Sequence, residues 1–304
     1  MKKNTIDLLN NRYKFKEGKN YVKMSPESIA YRDQFIKKTT NKMIKQDCKV
    51  CMHVELNLIG EIDKFGFYYP TSVCDKCGNV QQLYYYDNNT LVDFYSNYYR
   101  KIYGAIDPDV HFKLQKKKRG LKILNFIKQY SKPKTVLEIG CGAGGILSRF
   151  LDDGYTVLGL DFDDEHLEAA RRNKISVIKG SIEKLSKDDK FDLIILSHVL
   201  EHIVKPSEFL ENLSKHLSDD GIIYIEVPSL DNISDGGHNF DLLHYWEIAH
   251  ISHFTVESLK LLCKTVGLKP IKITKSIESC WKFSSFSKQL SETEKQMSFD
   301  HTKK

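Results

Sequence analysis

No apolar run in this chain of 304 residues approaches the roughly 20 residues that span a bilayer. The opening, Met1-Lys2-Lys3-Asn4-Thr5, has neither the apolar stretch nor the small-residue cleavage site of a secretory signal. A membrane-spanning or exported chain is therefore not expected, and the expected compartment is the cytoplasm. No internal repeat is visible, which excludes repeat architectures. What remains is a globular chain, 41% hydrophobic, long enough for one large domain or two unequal ones.

The net charge of +6 is unevenly spread. Residues 1–46 carry ten Lys and two Arg against two Asp and two Glu, so everything after them sums to a slight negative charge. A second basic cluster, Lys116-Lys117-Lys118-Arg119, precedes an apolar helical pattern. Both fit a solvated extension and a solvated helix start. Attraction to RNA or to a phosphorylated substrate is the sharper alternative.

Four of the seven cysteines form two Cys-x-x-Cys pairs, Cys48/Cys51 and Cys74/Cys77, with 22 residues between them. In a chain without an export signal, such pairs point to a metal rather than to disulfides. Each supplies two thiolates at a fixed bite, which suits tetrahedral Zn2+, and four sulfurs leave no position for water. Gly78 follows the second pair, where a positive φ is often needed. The expected site is structural, holding together a segment at 46–83 too small for its own core. A connector at 84–104 follows, and seven tyrosines fall between Leu83 and Tyr103. Packing between two domains is their expected role, with a lid over a ligand as the alternative.

Beyond residue 105 the pattern turns to alternating strands and helices. Strands are expected at 135–141, 156–162, 176–179, 191–196 and, after the turn Asp219-Asp220-Gly221, at 221–227. Helices are expected at 121–127, from 146 to near Gly154, around 165–172 and at 206–217. Such alternation implies an α/β, doubly wound, mostly parallel sheet with helices on both faces over 105–289, before a polar tail at 290–304.

Gly140, Gly142 and Gly145 satisfy G-x-G-x-x-G directly after a strand and at the start of a helix. Glycines there let the backbone turn tightly and approach a nucleoside cofactor at the carboxyl edge of the sheet. The loop alone does not separate a dinucleotide from S-adenosylmethionine. Its neighbours favour the latter. Glu138, at the strand end, would disfavour a pyrophosphate but suit a cationic amino group. Asp161 ends the next strand, 21 residues after Gly140, where it can accept hydrogen bonds from ribose hydroxyls. Ser197 opens the polar cluster Ser197-His198-Val199-Leu200-Glu201-His202 at the same sheet edge.

Together Val136-Leu137-Glu138-Ile139-Gly140-Cys141-Gly142-Ala143-Gly144, Gly159-Leu160-Asp161, Phe191-Asp192-Leu193-Ile194 and Leu200-Glu201-His202 resemble the class I methyltransferases over about 110–288. The resemblance implies a Rossmann-like fold and S-adenosylmethionine as cofactor. It implies that Glu138, Gly140, Gly142 and Gly144 hold the methionine part, Asp161 the ribose, and Phe162, Ser181 and Ile182 the adenine. The acid often found near adenine is Ser181 here. A zinc ribbon ahead of such a domain resembles bacterial sugar methyltransferases, and also some ribosomal RNA guanine methyltransferases.

The stretch from His238 to Phe254 holds four of the eleven histidines, one tryptophan and two acids. His250-Ile251-Ser252-His253-Phe254-Thr255 resembles the His-Ile-Ser-Tyr-Phe-Ser run of the sugar C-methyltransferases, which implies that His250 is the base. Histidine suits that task because its pKa lies near neutrality. The family's Glu and Tyr before that histidine are Ala249 and Glu247 here, which leaves oxygen as well as carbon methylation open. His202 is the second candidate base. Neither an Asn-Pro-Pro-aromatic motif nor the cysteine arrangement for pyrimidine carbon occurs, which counts against RNA. The expected acceptor is a small molecule or glycan, including nucleotide-sugars. RNA methylation and a non-catalytic, S-adenosylmethionine-binding role are the alternatives.

Overall fold

The computed structural model describes residues 13–16, 19–39, 42–104 and 106–283. The first 12 residues of the expected extension and the expected tail at 290–304 lie outside the described residues.

The N-terminal part begins with helix α1 (Pro26–Thr39), then β1 (Met43–Lys45), β2 (Leu56–Ile62), β3 (Tyr68–Cys74), β4 (Val80–Gln82) and β5 (Tyr84–Tyr86). A helical run follows: α2 (Asn88–Asp93), a wider π turn at Phe94–Tyr98, and α3 (Tyr99–Tyr103). The Asp87 side chain starts the run by accepting the Thr90 N–H at 2.7 Å, and Gly104 at φ +88° follows its last turn. Helix α1 and strand β1 are no solvated extension. Phe35 of α1 is fully buried, Arg32 donates to the Phe65 carbonyl at 2.9 Å, and β1 pairs with β5.

The larger part is the expected α/β unit. After α4 (Pro108–Leu114), a second π turn (Gln115–Gly120) and α5 (Leu121–Ile127) come β6 (Thr135–Ile139), α6 (Gly145–Asp152), β7 (Thr156–Asp161), α7 (Asp164–Arg172), β8 (Val177–Lys179) and β9 (Phe191–Ser197). Then follow α8 (Pro206–Ser214), β10 (Leu217–Glu226), α9 (Leu242–Tyr245), β11 (Ser252–His253), α10 (Val256–Thr265), β12 (Leu268–Ile273) and β13 (Glu278–Phe283). Strand order is β12-β13-β10-β9-β6-β7-β8, parallel from β10 to β8, with β12 and β13 antiparallel at one edge. Val136, Leu137, Leu193, Ile194, Ile195 and Leu196 are fully buried, as expected of central strands covered on both faces. Each such aliphatic side chain contributes about 1.5–3 kcal/mol.

The expected turn at Asp219-Asp220-Gly221 lies inside β10, as an irregularity in its pairing with β9 between Leu217 and Ile222. A larger difference concerns the ribbon. Its sheet has the order β11-β4-β3-β2, so its edge strand comes from the histidine-rich segment, with Ser252 opposite Gln81 and His253 opposite Val80. Nor does the ribbon lack a core. Phe35, Ile62, Phe67, Tyr69, Phe94 and Trp246 belong to one aromatic cluster drawn from α1, the ribbon, the tyrosine run and the histidine segment.

Candidate functional site

The carboxyl ends of β6, β7, β9 and β10 meet where strand order reverses, the crevice in which open α/β sheets bind ligands. Glu138, next to the end of β6, is 2% exposed, and its Oε2 has no hydrogen-bond partner. Burial, with Asp161 nearby, raises its pKa well above the usual carboxylate range. A cation brought to it would both ionise the carboxyl and pair with it.

Gly140, at φ +69°, carries the loop beneath Val199, whose Cγ2 would lie 2.8 Å from a Cβ at that position. Asp161 braces the loop from the end of β7. Its Oδ2 accepts the Gly142 N–H at 2.8 Å and its Oδ1 the Asp163 N–H at 2.9 Å. Each oxygen keeps a second lone pair for a hydroxyl donor. Gly144, at φ +76°, precedes α6, which starts without a side-chain cap. An uncapped helix start, a cradle closed to any Cβ and an unpartnered buried carboxyl fit a nucleoside cofactor with a cationic amino-acid tail.

Two groups at this edge were not singled out from the sequence. Glu226 ends β10 and accepts the Ser197 hydroxyl proton at 2.8 Å, so Ser197 directs its one O–H to a neighbouring strand. Arg119 approaches Glu226, with 3.7 Å between Nε and Oε2. The basic cluster is thus not simply a solvated helix start: Arg119 turns to the sheet edge, and Lys116 pairs with Asp152 at 2.8 Å. His198 adopts a strained φ of +56°, which brings its Nδ1 to 3.4 Å from Glu201 Oε1.

A cleft of about 810 Å³ brings Phe162, Ser181 and Ile182 together with His202 on one side and Leu91 and Tyr95 of the tyrosine run on the other. Phe162 is 54% exposed, open for stacking. The tyrosine run buries Phe94 and Tyr98 in the aromatic core, while Tyr95 lines the cleft. Tyr95 also reaches His202 Nδ1 at 3.2 Å.

The histidine segment folds against this wall. Ile251 N–H donates to the Glu201 carbonyl at 2.8 Å, and the His202 and His250 rings lie 4.9 Å apart. His202 Nδ1 lies 2.8 Å from the Ala249 carbonyl, so it carries the proton and Nε2 the lone pair. Burial lowers the His202 pKa, so the ring is held neutral. His250 Nε2 lies 2.9 Å from Glu247 Oε1, and Lys64 of the ribbon side pairs with the other Glu247 oxygen. Burial alone would lower the His250 pKa, but the Glu247 charge and hydrogen bond raise it overall. His253 turns away from the cluster toward Tyr69, 2.6 Å from its hydroxyl.

The four paired cysteines converge as their spacing implies. Cys48 Sγ lies 3.5 Å from Cys77 Sγ, Cys51 Sγ lies 3.6 Å from Cys74 Sγ, and all four fall within 4.8 Å of one another. Zinc–sulfur bonds of about 2.3 Å set tetrahedral sulfur–sulfur edges of about 3.8 Å, so the set fits a divalent cation. The two knuckles match in their backbone: Met52 N–H donates to Cys48 O and Gly78 N–H to Cys74 O, each at 2.9 Å. Met52 takes φ +58° where the second knuckle has Gly78 at +70°.

The glycine loop between a strand that carries Glu138 next to its end and one that ends in Asp161, on a sheet of this order, defines an α/β Rossmann-like methyltransferase fold. Residues 113–273, just over half of the chain, match the family model described as a methyltransferase domain. The chain belongs to that family, whose methyl donor is S-adenosylmethionine. Over 98 residues it is 30% identical to the ubiquinone biosynthesis O-methyltransferase of Rickettsia bellii, covering 30% of this chain and 41% of that protein. The Rickettsia typhi protein of the same name is 31% identical over 98 residues, 40% of its length. The match therefore spans about two-fifths of these curated relatives. Among solved structures, the chain is similar to the plantazolicin methyltransferase BpumL in complex with SAH, at 20% identity and a TM-score of 0.47, covering 69% of this chain and 89% of that one. A SAM dependent methyltransferase from Archaeoglobus fulgidus is 22% identical with a TM-score of 0.43, covering 52% and 74% of the two chains. No helix among the described residues is long and apolar enough to cross a membrane.

Proposed function

We propose that the protein transfers a methyl group from S-adenosylmethionine to a hydroxyl of a glycan or nucleotide-sugar, activated at the histidine cluster. The observation that carries this reading is the convergence of His202 and His250, each oriented through its other nitrogen, beside a cleft that also contains Phe162, Ser181 and Ile182. When bound, S-adenosylmethionine supplies a methyl group on an already electrophilic sulfonium. Glu138 receives its amino group, Gly140, Gly142 and Gly144 its methionine backbone, Asp161 its ribose, and Phe162, Ser181 and Ile182 its adenine. Ser197 shapes the same edge through Glu226.

His250, held by Glu247, takes up the acceptor proton, and His202, whose ring lies 4.9 Å from that of His250, lines the cleft. A Glu247–His250 pair suits oxygen, whose proton is lost as the bond to the methyl carbon forms. The O-methyltransferases matched over 98 residues support the same chemistry. Tyr85, Asn89 and Tyr95 on the cleft wall suit the polar rims and apolar faces of a sugar ring. Zn2+ at Cys48, Cys51, Cys74 and Cys77 holds the ribbon, which supports the histidine segment as a second, smaller unit beside the methyltransferase domain.

Wild type and His250→Ala would be assayed with isotopically labelled S-adenosylmethionine on a panel of nucleotide-sugars and glycans. The variant should bind the cofactor normally and lose about 100-fold or more in turnover. Unchanged turnover would remove His250 from the reaction, and transfer to RNA alone would overturn the acceptor class.

A further inference from the structure

Glu201 is 2% exposed, and neither of its carboxylate oxygens has a hydrogen-bond partner. The ring nitrogens nearest to Oε1 are His198 Nδ1 at 3.4 Å and His202 Nε2 at 3.9 Å, and neither makes a hydrogen bond to it. A carboxylate buried in this way costs several kcal/mol unless a cation compensates it. The two histidines beside it are arranged in a complementary manner. His202 gives its Nδ1 proton to the Ala249 carbonyl, leaving the Nε2 lone pair. His250 turns Nε2 to Glu247, and its buried Nδ1 has no partner. One ligand atom each from Glu201, His202 and His250 lie within 4.8 Å of one another.

We propose that Glu201, His202 and His250 form a second metal site, distinct from the four cysteines, that binds a divalent cation such as Zn2+, Co2+, Mn2+ or Fe2+. Mixed imidazole and carboxylate ligation selects these ions over Mg2+ and Ca2+. Histidine ligands typically have the far nitrogen fixed by a carbonyl or carboxylate, as both have here. Three protein ligands leave open positions for an acceptor oxygen, and of the three His202 lines the cleft. Binding of the cation stands independently of the function proposed above. Its role rests on that reading and changes the part played by His250, which becomes a ligand of the ion that activates the acceptor.

The test uses the full chain with zinc in the cysteine site, titrated with Co2+ and followed by calorimetry and visible absorption. One Co2+ per chain should bind without a thiolate charge-transfer band. Glu201→Gln and His202→Gln should weaken it at least tenfold, and Glu247→Gln by about 10–100-fold through loss of orientation at His250. Thermal unfolding checks that each variant is folded; if either ligand variant fails to fold, Glu247→Gln carries the test. Absence of a second bound ion, or unchanged cobalt affinity in the folded variants, overturns the site. Cobalt binding as expected with no methyl transfer to any sugar would count against the proposed function and leave the metal site standing.

Discussion

A Cβ added to Gly60 would lie 2.3 Å from Cζ3 of Trp246, so β2 is shaped to receive a ring from the histidine segment. Trp246 is 0% exposed, and the next residue, Glu247, holds both Lys64 and His250. The part that carries the paired cysteines and the histidine segment are therefore one packed structure.

From that contact, Gly60→Ala should destabilise the protein by about 1–3 kcal/mol, because a fully buried indole has no free space to move into. The unfolding midpoint should fall by several degrees, and turnover should fall with it as Glu247 shifts. A midpoint and turnover equal to wild type would show that the strand and ring give way without consequence.

Removing the cysteine site should reach the same place from the other side. Cys74→Ser removes one ligand of the proposed Zn2+ site at the start of the β3–β4 connection, and β4 carries the pairing with Ser252 and His253. Tryptophan fluorescence should shift to the red as Trp246 gains water. Retained turnover in a zinc-free Cys74→Ser protein would argue against the coupling.

Glu138→Gln keeps the shape of the proposed cofactor site and removes a carboxyl that can ionise when a cation arrives. Folding stability near neutral pH should change little, since burial already disfavours the ionised carboxyl. Affinity for S-adenosylmethionine should drop at least tenfold, because a charge-assisted hydrogen bond to its amino group is lost. In wild type that affinity should rise with pH across the range in which Glu138 ionises, above the usual carboxylate range, and calorimetry should find no such rise in the variant.

His111 packs beside the glycine loop, where burial first, then the His166 and Arg100 charges, lower its pKa from 6.5 to about 4. The unfolded chain takes up this proton as pH falls below about 6.5, but the folded protein does not until about 4. Its contribution to stability is therefore complete above 6.5 and is lost progressively down to about 4. Chemical denaturation at pH 7 and pH 5 should show a smaller loss for His111→Gln than for wild type. Equal losses would place the pH dependence elsewhere.

What could be read in advance follows from locality. The glycine loop, Asp161 and the cysteine pairs each lie within one strand–loop–helix unit or one knuckle, so spacing along the chain resembles spacing in the fold. Helix α1 escaped notice for the opposite reason. Its buried positions Ser28, Arg32, Phe35 and Thr39 keep the helical period, but three of the four are polar. The π turns at 94–98 and 115–120 have no side-chain signature, because one extra residue in a turn is a matter of backbone bonding. Glu226 was missed because it stands in no motif, and Arg119 was read only as part of a basic cluster; they meet only when β10 and the turn before α5 reach the same sheet edge.

The sequence by itself determined the Rossmann-like methyltransferase domain, its glycine loop and the two paired-cysteine knuckles, because each is set by residue types at short, regular spacing. Tertiary structure decided that the histidine segment is the edge strand of the ribbon, and that Glu201, His202 and His250 face one another. Those outcomes depend on β4 offering its backbone donors and acceptors to Ser252 and His253, and on Gly60 leaving room for Trp246. Complementarity between surfaces so far apart in the chain exists only once the chain has folded.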